Sequence, residues 1–441
     1  MKEVRIGNGC GFWGDSVDAP ARLAAEGQLD YLTLEYLAEL TMSILALQKL
    51  RDPQAGYAAD FIDVLPSLLP FLPTMRLITN AGGMNPHGCA EKARALLDAS
   101  GLSNLPIGVV SGDDLLPSLD RYELRHLDTG EPLATVRERV VSANAYLGSG
   151  PIIEALQRGA TIVITGRVAD ACLTVAPAAY EHQWRSTDWD CLAGGTVAGH
   201  LIECGAQVTG GLWMNSDECD LTDIGYPIAS VAADGSCYIS KPPGSGGAVN
   251  RETVAEQLLY EVGNPAAYLS PDVTADFTSV QLRERGPDEV SVSAARGQPA
   301  PEMLKVSIAY RNGWAAAGTL VVPGPGATAK ARRCGEIVRR RLQRIDALPE
   351  VFYVEVIGSG DTLPAGTMPI ADPPEVLLRI YVRDSIRAKV ERFGRELAPL
   401  VTSGPPGITG YTTGRPVVRE VLAYWPALVP REAITAHVEI L

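Results

Sequence analysis

The sequence predicts an α/β protein with a mostly parallel sheet and flanking helices, followed by a second, two-layer α+β domain. From residue 4 to residue 178, short apolar, β-branched runs alternate with helix-patterned stretches, as in parallel strands joined by crossover helices. Beyond residue 297, strand patterns come in pairs with helical patterns between them, which is typical of an α+β layer. We therefore predict domains at residues 1–290 and 291–441.

The first domain is assigned six strands and five helices. The predicted strands are residues 4–7, 31–34, 75–79, 107–110, 140–142 and 161–165, and the predicted helices are residues 19–26, 35–50, 86–100, 150–157 and 169–178. A (β/α)8 barrel needs eight strands, so the pattern favours an open doubly wound sheet, with a barrel closed by later segments as the alternative. A hairpin is predicted at residues 227–240, around an Ala-Asp-Gly turn.

The second domain is assigned paired strands and two helices. Its predicted strands are residues 303–310, 318–322, 351–357, 374–382 and 433–441, and its predicted helices are residues 327–346 and 384–400.

Composition excludes several classes of function. The 441 residues carry a formal charge of −14, which disfavours binding to the phosphate backbone of nucleic acids. The sequence shows neither a signal peptide nor a long uncharged apolar run, so we expect a cytoplasmic protein without membrane association. The eight cysteines form no CxxC pair, so a zinc ribbon and a disulfide scaffold are both disfavoured.

Polar side chains follow the predicted strands where ligands bind in open α/β sheets, beyond the carboxyl ends. We expect these loops to line one cleft. The candidate acids and bases there are Asp15, Glu35, Asp113 and Asp170, and the candidate substrate contacts are Asn8, Asn80, Asn85 and Arg167.

Three of these assignments have alternatives. The glycines around Asn8 are also typical of a tight turn. Glu35 and Glu39, one turn apart in the predicted helix, could do acid/base work or hold a divalent cation, with a solvated helix face as the alternative. Arg167 suits a carboxylate or phosphate, or it pairs structurally with Asp170.

His200, Glu203 and Cys204 fall at i, i+3 and i+4 of a helical pattern and therefore on one face. His200 joins the candidate catalytic residues. A transition-metal site and a Cys–His nucleophile pair are the alternatives, and packing of the helix end is the default interpretation. We expect no metal and no cofactor.

A glycine-rich loop precedes the predicted helix at residues 252–262 and offers an anion site. Lys241, Gly244, Gly246 and Gly247 are its candidate substrate-binding residues, because free N–H groups and a helix N-terminus attract anions. A flexible lid is the alternative. The arginine-rich helical segment at residues 329–344 is interpreted as a solvated face or a subunit contact, with a nucleotide-phosphate role as the alternative.

Several motifs occur in order along the chain and together carry a family resemblance. They are RIGNGCGFWGDS, TNAGGMNPHGCA, ITGRVADACLTVAPA, AGGTVAGHLIECGAQVTGG, IGYPIASVAADGSCYISKPPGSGG, EQLLYE and YLSPDV. Over about residues 3–430 the sequence resembles the acyclic terpene utilisation (AtuA-like) family. The resemblance implies a companion of enzymes that degrade acyl-CoA esters of branched or terpenoid acids, and it assigns no catalytic residue.

Residues and resemblance together lead to two hypotheses. The first is an enzyme that performs proton-transfer chemistry on an acyl-CoA thioester or a branched carboxylic acid, as a hydratase, dehydratase or carbon–carbon lyase. The second is a noncatalytic subunit or scaffold of an acyl-CoA catabolic complex. The expected partner is a small-molecule substrate, such as a CoA thioester, and in the second hypothesis it is an acyl-processing complex. We expect a homo-oligomer.

Overall fold

The chain divides into two compact units in the computed structural model, which describes residues 3–364 and 373–441. The first unit comprises Met1–Ala309 and Tyr424–Leu441, and the second comprises Tyr310–Ala423. The chain thus leaves and re-enters the first unit within long strands. Whether residues 1–290 and 291–441 behave as separate domains stays a prediction.

The strands of the described residues are numbered in chain order. They are β1 (Val4–Asn8), β2 (Tyr31–Leu34), β3 (Arg76–Thr79), β4 (Ile107–Ser111), β5 (Val140–Ala145), β6 (Ile162–Thr165), β7 (Ile228–Val231), β8 (Cys237–Ser240), β9 (Tyr268–Leu269), β10 (Thr274–Asp276), β11 (Gln281–Gly286), β12 (Glu289–Ser293), β13 (Arg296–Gln298), β14 (Met303–Pro323), β15 (Val351–Ile357), β16 (Glu375–Asp384), β17 (Arg419–Pro430) and β18 (His437–Ile440).

The α-helices are numbered in the same way. They are α1 (Ala19–Glu26), α2 (Glu39–Arg51), α3 (Ala59–Leu68), α4 (Pro86–Ala99), α5 (Gly150–Gln157), α6 (Cys172–His182), α7 (Trp189–Ile202), α8 (Arg251–Leu259), α9 (Ala327–Arg344), α10 (Arg387–Phe393) and α11 (Leu400–Ser403). Within the described residues, none of these helices is long and apolar enough to cross a membrane.

A mixed sheet of ten described strands organises the first unit, in the order β11-β12-β8-β7-β1-β2-β3-β6-β4-β18. Its central strands, β1, β2, β3, β6 and β4, are parallel. Their carboxyl ends therefore lie at one edge of the sheet, with the loops that follow them. The flanking strands are antiparallel, including the predicted hairpin of β7 and β8.

Successive residues of the central strands pack into different cores. Leu77 belongs to one apolar cluster, together with residues of α1 to α4, and Ile78 belongs to another, together with residues of α5 to α8. Because neighbouring side chains of a strand point to opposite faces, the sheet is covered on both sides. Both residues are fully buried, which accounts for the uninterrupted apolar runs in the sequence.

Short-range signals in the sequence set the start of α4. The side chain of Asn85 accepts a hydrogen bond from the backbone N–H of Gly88 at 3.1 Å, and Pro86 begins α4. Asparagine at the cap and proline in the first turn both favour a helix start. Asn85 therefore has a structural role, since its amide nitrogen also donates to backbone carbonyls of residues 53–55.

The second unit contains paired antiparallel strands and its own apolar core. β16 pairs with β14 and with β15, so Ile380 lies opposite Gly318 on one side and Val354 on the other. α9 and α10 pack on this sheet and contribute Val338 and Val390 to the core.

The structure corrects four fold expectations. The sheet is mostly parallel only in its centre. The predicted strand at 140–142 lies outside that sheet, because β5 pairs with β14. The predicted last strand pairs with β4 of the first unit as β18. The helix predicted from residue 35 begins at Glu39, so Glu35 and Glu39 are not one helical turn apart.

Candidate functional site

Two adjoining cavities lie at the carboxyl edge of the central strands, with volumes of about 510 and 520 Å³. They share the lining residues Leu37, Ala38, Asp170, Glu203 and Glu261. We treat them as one cleft, called the carboxyl-edge cleft. Its size is that of a site for a small organic ligand.

Glu35 lies in the loop after β2 and is almost completely buried. Its Oε1 accepts hydrogen bonds from the backbone N–H of Leu37, at 2.9 Å, and from the side-chain amide of Asn80. Oε2 has no hydrogen-bond partner among the described residues. Burial raises the pKa of Glu35 well above its usual value, and the nearby charge of Asp170 raises it further.

Arg167, after β6, is a buried cation at the floor of the cleft. Its guanidinium donates to the carbonyl of Leu37 at 3.0 Å, lies 2.8 Å from Asp170 Oδ1 and stacks on the ring of Tyr146 at 4.2 Å. The side chain of Asp170 is 36% exposed, so a ligand can reach it. Desolvation in the cleft raises the pKa of Asp170, although the charge of Arg167 opposes this shift.

Glu39 and Lys305 form a second charged pair beside Tyr146. Glu39 Oε1 accepts a hydrogen bond from the Tyr146 hydroxyl at 2.7 Å and another from Lys305 Nζ at 3.3 Å. Burial alone would raise the pKa of Glu39. The hydrogen bond from Tyr146 and the cations Arg167 and Lys305 outweigh burial and lower the pKa to about 2. Glu39 is therefore an ionised partner that holds Lys305 and Tyr146 in place.

His200 and Glu203 enter the cleft from the end of α7. The imidazole Nδ1 lies 3.1 Å from Glu203 Oε1, and Nε2 lies 3.0 Å from the backbone carbonyl oxygen of Gln257. Burial raises the pKa of Glu203 to about 7, against the opposing effect of His200.

Asp15 reaches the other end of the cleft from the loop after β1. Its carboxylate accepts hydrogen bonds from the backbone N–H of Gly11 at 2.8 Å and from the Tyr226 hydroxyl at 2.5 Å. Cys204 lies nearby, and burial raises the pKa of its thiol to about 12. Such a thiol is a poor nucleophile at neutral pH.

Asn8, Asn80 and Asp113 are buried beneath the cleft. Asn8 donates to the backbone carbonyls of Ile202 and Glu203, at 2.7 and 2.8 Å, and so fixes the end of α7. Asp113 accepts from the backbone N–H of Arg167 at 3.0 Å, and burial raises its pKa to about 6. These side chains position the residues that line the cleft.

The loop around Lys241 does not line the cleft, and several of its expected anion donors have partners within the protein. Lys241 Nζ donates to the Ser245 carbonyl at 2.7 Å and lies 3.0 Å from Asp288 Oδ2. The backbone N–H groups of Gly246 and Gly247 donate to backbone carbonyls, at 2.8 and 2.7 Å. The first N–H groups of α8 are also occupied, because Asn250 caps them. The donors expected to bind an anion thus hold the loop together, and Gly244 takes a positive φ of 79° at its turn.

One wall of the cleft is apolar and partly open to solvent. Leu127, Leu269, Met303 and Leu428 line it and are between 38% and 66% exposed. The charged groups Arg167, Asp170 and Lys305 line the same cavity. The cleft therefore suits a ligand with an apolar chain and a polar or anionic end. No cluster of His, Cys, Asp or Glu arranged to hold a metal ion occurs in residues 3–364 and 373–441.

The structure brings together part of the predicted site. Asp15, Glu35, Arg167, Asp170 and His200 line the cleft. Asn8, Asn80 and Asp113 support it, whereas Asn85, Lys241, Gly244, Gly246 and Gly247 lie outside its lining. The predicted site lacked Glu39, Tyr146, Glu203, Glu261, Tyr268 and Lys305. The sequence did contain a signal for Glu203, because it stands three residues after the candidate His200 and therefore on the same face of the helical pattern.

Comparison with known proteins identified a family for this chain. The family model described as acyclic terpene utilisation family protein AtuA matches residues 4–440. No curated protein and no solved structure matches the chain.

Proposed function

Since the chain belongs to the acyclic terpene utilisation family AtuA, we propose that it is an enzyme that moves protons on an acyl thioester or a branched carboxylic acid. The reaction class is hydration, dehydration or carbon–carbon lysis next to a carbonyl group. All of these require a group that takes a proton and a group that gives one.

The observation that carries the proposal is the grouping of Glu35, Asp170 and Glu203 around one cleft. Each has a pKa above its usual value, with burial as the largest cause. Burial thus favours the protonated form of each group, as in carboxyl groups that take part in proton transfer. Asp170 is accessible from both cavities, which makes it the first candidate for contact with substrate.

The cations of the cleft would act on the carbonyl end of the substrate. When a proton leaves the carbon next to a thioester carbonyl, negative charge develops on the carbonyl oxygen. Lys305, 42% exposed, can approach such an oxygen directly. Arg167 is buried, so it acts through Asp170 and Tyr146, next to which it supplies a positive charge.

The apolar wall would bind the acyl chain. Burying apolar surface contributes roughly 25 cal/mol per Å², so contacts with exposed side chains such as Leu269 and Met303 favour branched chains over short polar ones. The apolar wall therefore supports the acyl part of the proposed substrate.

The proposal is tested with a panel of branched enoyl-CoA and 3-hydroxyacyl-CoA esters offered to the purified protein. We expect turnover of at least one ester, followed by mass spectrometry of the products. Binding without turnover of any ester would favour the noncatalytic subunit, and a lack of both would contradict the acyl substrate class. The Asp98→Asn variant, altered on the exposed surface of α4, is the matched control and should behave as the wild type.

A further inference from the structure

The ring of His200 is fixed in one orientation by groups on neighbouring elements. The imidazole is 1% exposed, and its Nε2 lies 3.0 Å from the backbone carbonyl oxygen of Gln257. A carbonyl oxygen only accepts hydrogen bonds, so Nε2 carries a hydrogen. Gln257 returns a bond from its side-chain amide to the His200 carbonyl at 3.3 Å, and the ring of Phe277 lies 5.4 Å away.

The other ring nitrogen then requires a shared proton. Nδ1 lies 3.1 Å from Glu203 Oε1. With the hydrogen on Nε2, Nδ1 of a neutral ring has only a lone pair, and an ionised carboxylate likewise offers only lone pairs. A hydrogen bond between them needs one further proton, carried either by His200 as imidazolium or by Glu203 as carboxylic acid.

The second oxygen of Glu203 is left for a ligand. Oε2 is buried and has no hydrogen-bond partner within the described part of the chain, and Glu203 lines both cavities. A buried unpartnered carboxylate oxygen costs free energy unless a donor comes to it. A substrate proton would be such a donor.

We propose that Glu203 is a catalytic acid/base of the carboxyl-edge cleft and that His200 is its positioning residue, the two sharing one proton. The catalytic part rests on the proposed function. As a base, Glu203 Oε2 takes a proton from a C–H or O–H bond of the substrate, and the electron pair of that bond stays on the substrate. The imidazolium of His200 meanwhile donates to Oε1. In the reverse direction, the protonated Oε2 returns the proton.

The charges around the pair set its titration. The groups that face it from neighbouring elements are Asp170, Glu261, Tyr268, Cys204 and the carbonyl of Gln257. The carboxylates Asp170 and Glu261 raise the pKa of Glu203 further, beyond the larger effect of burial. For His200, burial lowers the pKa, but the bond to Glu203 and its charge reverse this and leave the pKa above 6.5.

Nitrogen NMR of the wild-type protein tests the shared proton without any substrate. The chain has five histidines, so ¹⁵N-histidine labelling with long-range proton–nitrogen spectra resolves them. Assignment uses single substitutions of His87, His126, His182 and His437, which leave the pair untouched. We expect His200 to carry hydrogen on Nε2 at every pH from 5 to 9, and Nδ1 to titrate above pH 6.5. Hydrogen on Nδ1 with a bare Nε2 would overturn the proposal.

The isosteric variant Glu203→Gln isolates the effect of the carboxylate on the histidine. Without that charge, burial dominates, so His200 should titrate below pH 6.5. An unchanged titration would overturn the pairing. Should this variant fail to fold, the wild-type spectra still decide the question.

Kinetics test the acid/base role with an ester from the panel. Glu203→Gln should lower kcat by at least about 100-fold, the usual contribution of a general acid or base, with little change in KM. His200→Asn keeps a donor but removes the cation, so the acidic limb of the kcat profile should move to higher pH. A uniform fall in kcat without movement of that limb would reduce His200 to a structural role and overturn the pair. If the wild type turns over no ester, the proposed function fails, while the spectra still decide the proton pair.

Discussion

Arg167 and Asp170 form an ion pair of 2.8 Å in which the arginine is buried at the floor of the cleft and the aspartate is open to solvent, since 2% of the arginine side chain and 36% of the aspartate side chain are exposed. The cation is held by the Leu37 carbonyl and by the ring of Tyr146. Removing it would leave Asp170 beside Glu35 and Glu39 with the weaker influence of Lys305 as a nearby positive charge. The pair therefore links the stability of the cleft to the protonation of its carboxyl groups.

Replacing Arg167 with Met is expected to lower the free energy of unfolding by about 3 kcal/mol. This is the low end of the cost of breaking a buried ion pair, because Asp170 is partly hydrated. Urea denaturation at pH 7 measures the change. The control is Arg340→Met, which removes an exposed pair with Glu336 and should cost less than about 1 kcal/mol. Equal losses in the two variants would contradict the structural role of Arg167.

The Lys241 side chain should matter for stability and not for ligand binding. Lys241→Met removes its bonds to Ser245 and Asp288, and a hydrogen bond to a charged group contributes about 1.5–3 kcal/mol. A double-mutant cycle with Asp288→Asn should show that the two losses are not additive. Calorimetric titration with an ester that binds the wild type should give the same Kd for Lys241→Met and the wild type. A tenfold weaker Kd would restore the loop as an anion site.

Tyr146→Phe should change how stability depends on pH. The hydrogen bond from Tyr146 helps to lower the pKa of Glu39 from 4.5 to about 2. A carboxyl group with a lowered pKa stabilises the fold above its unfolded pKa, and this stabilisation is lost as pH falls through the folded value. The variant should therefore be less stable than the wild type at pH 7, with a difference that shrinks between about pH 4.5 and pH 2. Urea denaturation at several pH values measures it, and a constant difference would contradict the bond.

Cys204 should react slowly with iodoacetamide at pH 7. With a pKa of about 12, roughly one thiol in 100,000 is ionised at this pH. Mass spectrometry of tryptic peptides follows the labelling, and Cys204→Ser should retain most of the turnover. Rapid labelling of this peptide would instead indicate a nucleophile paired with His200.

Much of the first unit could be predicted because the starts of its helices depend on residues that are close together in the sequence. Pro20 and Pro151 stand in the first turns of α1 and α5, and both helices have the predicted bounds. Where a local signal competes with pairing, the prediction fails. The strands predicted at residues 303–310 and 318–322 are parts of one strand, β14, which continues through Gly313 with a φ of 85° and pairs with β16 from Trp314 onward.

Of the residues that line the cleft, those that follow the central parallel strands could be predicted. The ends of parallel strands meet at one edge by topology, so Asp15, Glu35, Arg167 and Asp170 could be placed there from the sequence. Lys305 and Tyr268 come from strands far along the chain, and no local pattern indicates where those strands lie. The same limit applies to the glycine-rich loop. Its pattern predicts accessible N–H groups, but it cannot indicate that backbone carbonyls of residues 209, 220 and 223 accept hydrogen bonds from them.

The most direct test of the central claim is proton exchange at the carbon next to the thioester carbonyl. Branched saturated acyl-CoA esters are incubated with the protein in D₂O, and mass spectrometry follows deuterium incorporation. We expect incorporation with the wild type and with Asp98→Asn, and a rate at least about 100-fold lower with Asp170→Asn. Equal incorporation with Asp170→Asn and the wild type, or none with the wild type for any ester that binds, would contradict proton transfer in the carboxyl-edge cleft.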